Sequence, residues 1–113
     1  MLVKRGDIFL VDLTDALGSE QRGLKPAIIV QNDVGNEKSP TTLIVPLTSK
    51  KKHMQATHVE IKPEDGTARP SEAECEQVRV ADKIRLKKQV GTITNPDVLD
   101  EINRKIMVAF GIC

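Results

Sequence analysis

The segment from Gly18 to Pro26 carries side chains that can neutralise an anion or form hydrogen bonds with a heterocyclic base. It contains a hydroxyl, an acid, an amide and two cations: Ser19, Glu20, Gln21, Arg22 and Lys25. Proline pushes the residue before it towards an extended conformation, so Lys25 is predicted to stand at the start of a strand, more rigidly than an ordinary loop lysine. A solvated hairpin loop is the alternative, and composition alone favours it.

Two later stretches are candidates for the same kind of contact. Glu76 and Gln77, with Arg79 beside them, can read the edges of an unpaired base, because an amide offers both a donor and an acceptor. Surface salt bridges from this pair to Arg79 and Lys83 are an equally good interpretation. The other stretch is a basic run, which is typical of a solvated loop but could also contact phosphate: Lys50, Lys51 and Lys52.

The length, composition and net charge of the chain limit the kind of partner that it can bind. The 113 residues suit one domain with a modest core, and 39% of them are hydrophobic. With 17 basic and 16 acidic side chains, the net charge of +1 excludes a global electrostatic footprint for nucleic acid. Any such site must therefore come from local clustering. Tryptophan and tyrosine are absent and there are only two phenylalanines, so base stacking on aromatic side chains is scarcely available.

The sequence also indicates the cellular location of the protein and whether it needs a metal or a cofactor. No apolar run approaches the length of a membrane span and the start does not resemble a signal sequence, so we expect a cytoplasmic protein without membrane contact. Cys75 and Cys113 form no recognisable disulfide framework and are expected to be reduced thiols. Because the histidines and cysteines have unrelated spacings, neither a metal nor a cofactor is predicted.

Hydrophobic patterning predicts a mainly β chain. The predicted strands cover residues 4–13, 26–31, 41–47, 57–61, 73–80 and 89–93. A turn is predicted at 32–36, a loop at 62–71 and a short helical turn at 82–86. Pro46 indicates an edge or a bulge in the third strand, and His58 is predicted to be a strand side chain rather than a catalyst.

One helix is predicted near the end of the chain. Asn95 can cap it, and Pro96 suits the first helical position. Gly111 is expected to stop it. Its apolar residues form one stripe at spacings of three or four: Leu99, Ile102, Ile106 and Ala109. Nothing on this helix indicates chemistry, so it is predicted to be a packing element.

Several motifs at matching spacings resemble those of one protein family. They lie at residues 3–8, 18–21, 26, 30–33, 35–36, 39–41, 46–49, 76–79, 82–83 and 85–86. Together they cover most of the chain and are similar to the MazF/PemK family of bacterial toxins, the ribosome-independent endoribonucleases of toxin–antitoxin systems. The spacing of the first three motifs makes this resemblance specific.

The resemblance implies a fold and a set of partners. The fold is expected to be mainly β (α+β), a small SH3-like barrel of the CcdB/PemK type with a C-terminal α-helix, in a single toxin domain over 1–113. It implies a homodimer that cleaves single-stranded mRNA at specific sequences without metal, restrained by an antitoxin with an acidic, disordered segment. Family members place a mobile loop beside the RNA groove where this chain has its basic run, which favours phosphate contact there.

The resemblance assigns catalysis to Lys25 and Thr48. The candidate RNA-binding residues are Ser19, Glu20, Gln21, Arg22, Lys50, Lys51, Lys52, Glu76, Gln77 and Arg79. Relatives with this motif usually carry arginine at the position of Lys25, and lysine keeps the charge but loses the bidentate phosphate geometry. Either Lys25 or Arg22 does the work, or the enzyme is weakened. Glu74 does not match the arginine that some relatives use in their alternative catalytic set.

Two other functions stay open at this point. A catalytically silent RNA-binding relative is compatible with Lys25, and a CcdB-like inhibitor of DNA gyrase could use the same barrel. Thr48 and the Glu-Gln-Arg sequence at 20–22 favour the nuclease.

Overall fold

The computed structural model describes residues 1–49 and 56–112. Its strands are β1 (Asp7–Asp12), β2 (Leu24–Ile29), β3 (Thr41–Thr48), β4 (His58–Ile61), β5 (Ser71–Glu74), β6 (Arg79–Asp82) and β7 (Leu86–Thr92), and its helices are α1 (Asp33–Lys38) and α2 (Pro96–Ala109). Neither helix is long and apolar enough to cross a membrane. The basic run Lys50, Lys51 and Lys52 and the terminal Cys113 lie outside the described residues.

The strands form one antiparallel sheet. Their order is β4-β5-β3-β2-β1-β7, and β6 pairs with β3 beside this path. Within the described residues no ladder joins β4 to β7, so the sheet is open. The mainly β prediction with a C-terminal helix is confirmed, whereas the closure that the word barrel implies is not formed.

β3 is the strand at which the sheet divides. Its first half, 41–44, pairs with β6, and Leu47 and Thr48 pair with β5. Pro46 lies between these two ladders and opposite Ala27 of β2. Since proline has no N–H to donate, it suits a position where one ladder has ended and the next has not begun. Pro46 was predicted to mark an edge or a bulge; instead it lies in a central strand, at the point where that strand changes partner.

Alternating side chains of the sheet build two apolar clusters. Ile8 and Ile28 belong to the cluster that α2 covers, and their chain neighbours Phe9 and Ile29 belong to the other. This follows from the two-residue period of a strand, which sends successive side chains to opposite faces. The residues of α2 that contribute to its cluster are Val98 and Ile102, which are buried, and Leu99 and Ile106, which pack against it.

α2 begins where the sequence predicted. The Asn95 side chain accepts a hydrogen bond from the backbone N–H of Asp97 at 3.0 Å, and Pro96 occupies the first turn. Gly111 follows the last turn with a φ of 73°. The buried stripe is shifted, because Val98 lies in the core while Ala109 is exposed.

Two segments differ from their predictions. Residues 32–36, predicted as a turn, begin the short helix α1, because the Asn32 side chain accepts a hydrogen bond from the N–H of Gly35 at 2.8 Å. Residues 73–80, predicted as one strand, are divided into β5, a 3₁₀ turn (Cys75–Gln77) and β6. This turn lets β5 pair with β4 while β6 pairs with β3. The helical turn predicted at 82–86 is confirmed as Lys83–Arg85.

The loop before β5 is held against β7. The Asp65 carboxylate accepts hydrogen bonds from the N–H of Lys62 at 3.0 Å and from the side chain of Asn95 at 3.1 Å, and these bonds lower the pKa of Asp65. Gly66 has a φ of 121°, and a Cβ there would lie 1.7 Å from the carbonyl oxygen of Thr92. Only glycine fits that position. The residues that follow Gly66 form one wall of the first cavity described below.

Candidate functional site

Lys25 and Thr48, the predicted catalytic pair, line the same cavity. This Lys25 cavity has a volume of about 330 Å³. β2 supplies Lys25 and Pro26, and the end of β3 supplies Leu47 and Thr48. The remaining lining residues come from β1, from β7, from the residue after β3 and from the segment 67–71: Ile8, Leu10, Val90, Ser49, Thr67, Ala68, Arg69 and Ser71. The cavity thus joins a cation and a hydroxyl donor on rigid strands to an apolar floor.

The position of Lys25 follows from its neighbours. Pro26 faces Leu10 in the ladder between β1 and β2, and Lys25 faces Val11. The lysine is half-buried and lies in β2, in agreement with the extended conformation that proline favours for the residue before it. Thr48 is 8% exposed, so its hydroxyl has few alternative orientations in solvent. Both side chains are therefore better fixed than those of a surface loop.

Arg69 is a lining residue that the sequence analysis missed. It lies in the loop that Gly66 anchors, and its carbonyl oxygen accepts a hydrogen bond from the Ser71 hydroxyl at 2.8 Å. It gives the Lys25 cavity a second cation. An isolated arginine in a polar loop has no local pattern that distinguishes it from a solvated one, so only the folded chain could reveal it.

The predicted base-reading residues line a second cavity of about 430 Å³. Its lining residues are Ser19, Glu20, Gln21, Pro46, Glu76, Gln77, Val78 and Arg79. We call it the Gln21 cavity. Pro46 lines it while the next residue, Leu47, lines the Lys25 cavity, so consecutive residues of β3 contribute to both. The fold has brought together two segments that are distant in the sequence.

Gln21 and Gln77 are joined by a buried acid. The backbone N–H of Gln21 donates to Gln77 Oε1 at 2.9 Å. Glu74, which is 1% exposed, accepts from the side-chain amide of Gln21 at one oxygen and from that of Gln77 at the other, the latter at 3.3 Å. The carboxylate therefore fixes which end of each amide faces the cavity. Glu74, which was set aside in the sequence analysis, is a positioning residue here.

Glu76 does not form the salt bridges considered as its alternative. It accepts hydrogen bonds from the Thr57 hydroxyl at 2.9 Å and from His58 Nε2 at 3.1 Å. Arg79 Nη1 instead lies 3.8 Å from a carboxylate oxygen of Asp15. Lys83 donates to the carbonyl oxygen of Asn36.

Arg85 and Asp15 support the rim of the Gln21 cavity. Arg85 binds both carboxylate oxygens of Asp15, at 2.9 and 2.7 Å. This hydrogen bonding is the main reason why the pKa of Asp15 is lowered, and the charges of Arg85 and Arg79 add to it. Asp15 in turn attracts Arg79, a lining residue of the cavity.

Neither Arg22 nor Cys75 lines the Lys25 cavity or the Gln21 cavity. Arg22 is exposed and donates from Nη2 to the carbonyl oxygen of Gly18 at 2.9 Å, so it braces its own loop. Cys75 is a buried free thiol. Burial, with a smaller contribution from Glu76, raises the pKa of Cys75 to about 12, which keeps it protonated and unreactive.

Comparison with known proteins gives matches over nearly the whole chain. Residues 4–110 match the family described as PemK-like, MazF-like toxin of type II toxin–antitoxin system. The chain is 36% identical to Endoribonuclease EndoA of Bacillus subtilis over 114 residues, covering 99% of this chain and 97% of the relative. It is 38% identical to Endoribonuclease MazF of Staphylococcus saprophyticus over 113 residues, covering 98% and 93%.

Solved structures share the fold. MazF from Deinococcus radiodurans (Form-I) has a TM-score of 0.86 at 21% identity, covering 98% of each chain. A mycobacterial endoribonuclease in complex with its cognate antitoxin has a TM-score of 0.81 at 23% identity, covering 98% of this chain and 97% of that one.

Proposed function

The chain belongs to the PemK-like, MazF-like toxin family of type II toxin–antitoxin systems, and on that premise we propose that it is an endoribonuclease acting on single-stranded mRNA. Cleavage is sequence-specific and needs neither ribosomes nor a metal ion. One observation carries the proposal: Lys25 and Thr48 line one cavity, Gln21 and Gln77 line another, and β3 contributes to both. The curated relatives, which are named endoribonucleases, support it.

The 2′-hydroxyl of the substrate is the nucleophile. Its oxygen attacks the adjacent phosphorus and loses its proton, the bond from phosphorus to the 5′-oxygen breaks, and the 5′-oxygen gains a proton. The products carry a 2′,3′-cyclic phosphate and a 5′-hydroxyl. Lys25 stabilises the charge that builds on the phosphorane, and Thr48 donates a hydrogen bond to one of its oxygens. Removing one donor of this kind typically costs roughly 10²–10³-fold in rate.

Sequence specificity comes from the Gln21 cavity. Glu74 holds the amides of Gln21 and Gln77 in fixed orientations before RNA arrives. A wrong base then leaves polar groups of the site without partners, which is a strong basis for rejection. Because the major groove of an RNA duplex is too deep and narrow for side chains to read the base edges, this arrangement selects single strands.

The proposal is tested by incubating the purified protein with a long RNA, without ribosomes and with EDTA, and mapping the new ends. We expect cuts at one short recurring sequence, at a rate that chelation does not lower. Cleavage that disappears with EDTA and returns with Mg²⁺ contradicts metal independence. RNA binding without cleavage indicates the silent relative, and absence of both leaves gyrase inhibition to be assayed.

We propose that the antitoxin covers the Lys25 cavity with an acidic, disordered segment. Lys25 and Arg69 line this cavity, and Arg79 lines the other, so an acidic chain meets complementary charge along its path. Such a segment folds as it binds. The solved complex of a structural neighbour with its cognate antitoxin supports a partner of this type.

Antitoxin affinity is therefore expected to fall with salt, and antitoxin and RNA are expected to compete. Both follow from a shared set of cations whose attraction is screened by ions. Titrating a labelled, uncleavable RNA off the protein with antitoxin at several salt concentrations measures the two effects together. An antitoxin that leaves cleavage unchanged at saturation contradicts this account.

We propose a homodimer as the functional assembly. Among residues 1–49 and 56–112, β6 pairs only with β3, and its Val80 is 56% exposed opposite Leu43, which is 40% exposed. An apolar pair at a sheet edge is the kind of surface that a second copy covers. Sedimentation should give twice the chain mass of 12.5 kDa, and Val80→Glu should shift the protein towards the monomer. A monomer at all concentrations contradicts the proposal.

A further inference from the structure

Four ionisable side chains meet where β4 lies beside β5. His58 faces Glu74 directly in the ladder between these strands. His58 Nε2 lies 3.1 Å from Glu76 Oε2, and His58 Nδ1 lies 3.8 Å from Glu72 Oε1. His58, Glu72 and Glu74 are 2%, 5% and 1% exposed, and Glu76 is more open. This is an unusual density of buried acids around one imidazole.

Several polar atoms of this cluster are unsatisfied. Both carboxylate oxygens of Glu72 and the Nδ1 of His58 are buried and have no hydrogen-bond partner among the described residues. In the same residues, no lysine or arginine forms an ion pair with Glu72 or Glu76. A buried carboxylate without a partner or a countercharge is costly. A cation bound within the cluster would offset that cost.

We propose that His58, Glu74 and Glu76 form a binding site for a divalent transition-metal ion, with Zn²⁺ as the best fit. One ligand atom from each residue lies within 4.8 Å of the others. Imidazole nitrogen and carboxylate oxygen bind zinc at about 2.0–2.2 Å, which places neighbouring ligand atoms of a tetrahedral site about 3.4 Å apart. The 3.1 Å separation of His58 Nε2 from Glu76 Oε2 is close to that value.

Glu72 completes the arrangement as a positioning residue. Zinc-bound histidines commonly donate their other ring N–H to a carboxylate, which fixes the tautomer and the ring orientation. With the ion on Nε2, the proton of His58 lies on Nδ1, which faces Glu72. His58 Nδ1 and Glu72 Oε1 lie 3.8 Å apart, so a shift of about 0.8 Å would bring these two unsatisfied atoms within hydrogen-bond distance.

The hydrogen bonds of Glu74 are compatible with this role. A carboxylate has about four acceptor positions, so accepting from the amides of Gln21 and Gln77 does not exclude a bond to metal. Ligating carboxylates are themselves usually hydrogen-bonded. The two glutamines would then support a metal ligand as well as line the Gln21 cavity.

Metal binding at this site affects RNA binding, an inference that rests on the proposed function. Glu76 lines the Gln21 cavity, and Glu74 positions Gln21 and Gln77. An ion held by both carboxylates occupies Glu76 Oε2 and withdraws this oxygen from base contact, while Glu76 Oε1 keeps its hydrogen bond from Thr57. Zn²⁺ is therefore an inhibitor of RNA binding in this scheme, not a catalyst.

The experiment measures Zn²⁺ binding to the chelator-treated protein by competition with a chromophoric chelator. Cys113→Ser serves as the background, because a thiol also binds zinc. We expect one Zn²⁺ per chain and a rise in melting temperature. Glu72→Gln should weaken binding by about 10–100-fold as a positioning residue. His58→Gln and Glu76→Gln should weaken it at least as much, while Glu64→Gln, at an exposed acid outside the cluster, should not change it.

Two results would overturn the proposal. One is the absence of Zn²⁺ binding to the folded background protein when the metal is in excess. The other is binding that Glu76→Gln and His58→Gln leave intact, with circular dichroism showing both variants folded; loss in His53→Gln would then assign the metal to that histidine instead. RNA affinity with and without Zn²⁺ is measured separately, so failure of the nuclease assay does not decide the metal site.

Discussion

Lys25→Ala is expected to lower the single-turnover rate of RNA cleavage by roughly 10²–10³-fold. In the proposed mechanism the lysine supplies charge to the phosphorane from strand β2, whereas Arg69, the other cation of this cavity, is carried on a loop. RNA affinity should change much less, because we propose that the bases are bound in the Gln21 cavity, which Lys25 does not line. Rates at saturating enzyme on one cleavable oligonucleotide, together with binding of its uncleavable analogue, separate the two effects.

Matched variants distinguish Lys25 from the other cations. Lys25→Arg should raise the rate by more than it tightens binding, since arginine can hold two phosphate oxygens at once. Thr48→Ala should lower the rate while leaving the fold intact. Arg22→Ala, which removes a residue outside both cavities, should have little effect. If Lys25→Ala cleaves as fast as the starting protein and Arg22→Ala does not, Arg22 is the catalytic cation.

Gln21→Ala and Gln77→Ala are expected to relax the cleavage sequence. Each removes an amide that a base edge would otherwise meet, and side chain–base pairs of this kind are worth about 1–3 kcal/mol of discrimination. Their effects should not add, because the two glutamines bond to each other and share Glu74. We expect a coupling free energy of roughly 0.5–3 kcal/mol in a double-mutant cycle on RNA binding.

Ser19→Ala gives the control for that cycle. Ser19 is exposed and lines the same cavity, but it takes no part in the bonds that Glu74 accepts from Gln21 and Gln77. Its effect should add to that of Gln77→Ala. Strict additivity between Gln21→Ala and Gln77→Ala would show that the Glu74 network does not preorganise the readers.

The parts of the fold that the sequence predicts are those governed by local rules. The helix start at Asn95 and Pro96 follows from capping, and the alternation of Ile8 and Phe9 follows from the period of a strand. The Lys25 constraint likewise depends on the very next residue. These features were predicted because their causes lie within a few residues of their effects.

The parts that the sequence does not predict depend on distant partners. The interruption between β5 and β6 arises because two stretches of β3 pair with different strands. Arg69 reaches the Lys25 cavity only because Gly66 packs on Thr92. Glu74 becomes a positioning residue only when the loop bearing Gln21 meets it. No local sequence pattern in residues 69–74 indicates the contacts that Arg69 and Glu74 make.

We propose that the Lys25 cavity cleaves RNA by attack of the substrate's own 2′-hydroxyl. The most direct test uses the cleavable oligonucleotide with a single 2′-deoxy sugar on the 5′ side of the scissile phosphate. The account predicts that this substrate binds as the all-ribose one does, is not cut, and inhibits cleavage of the all-ribose oligonucleotide. Cutting of the 2′-deoxy substrate at the same position, or all-ribose products ending in a 3′-hydroxyl and a 5′-phosphate, would contradict it.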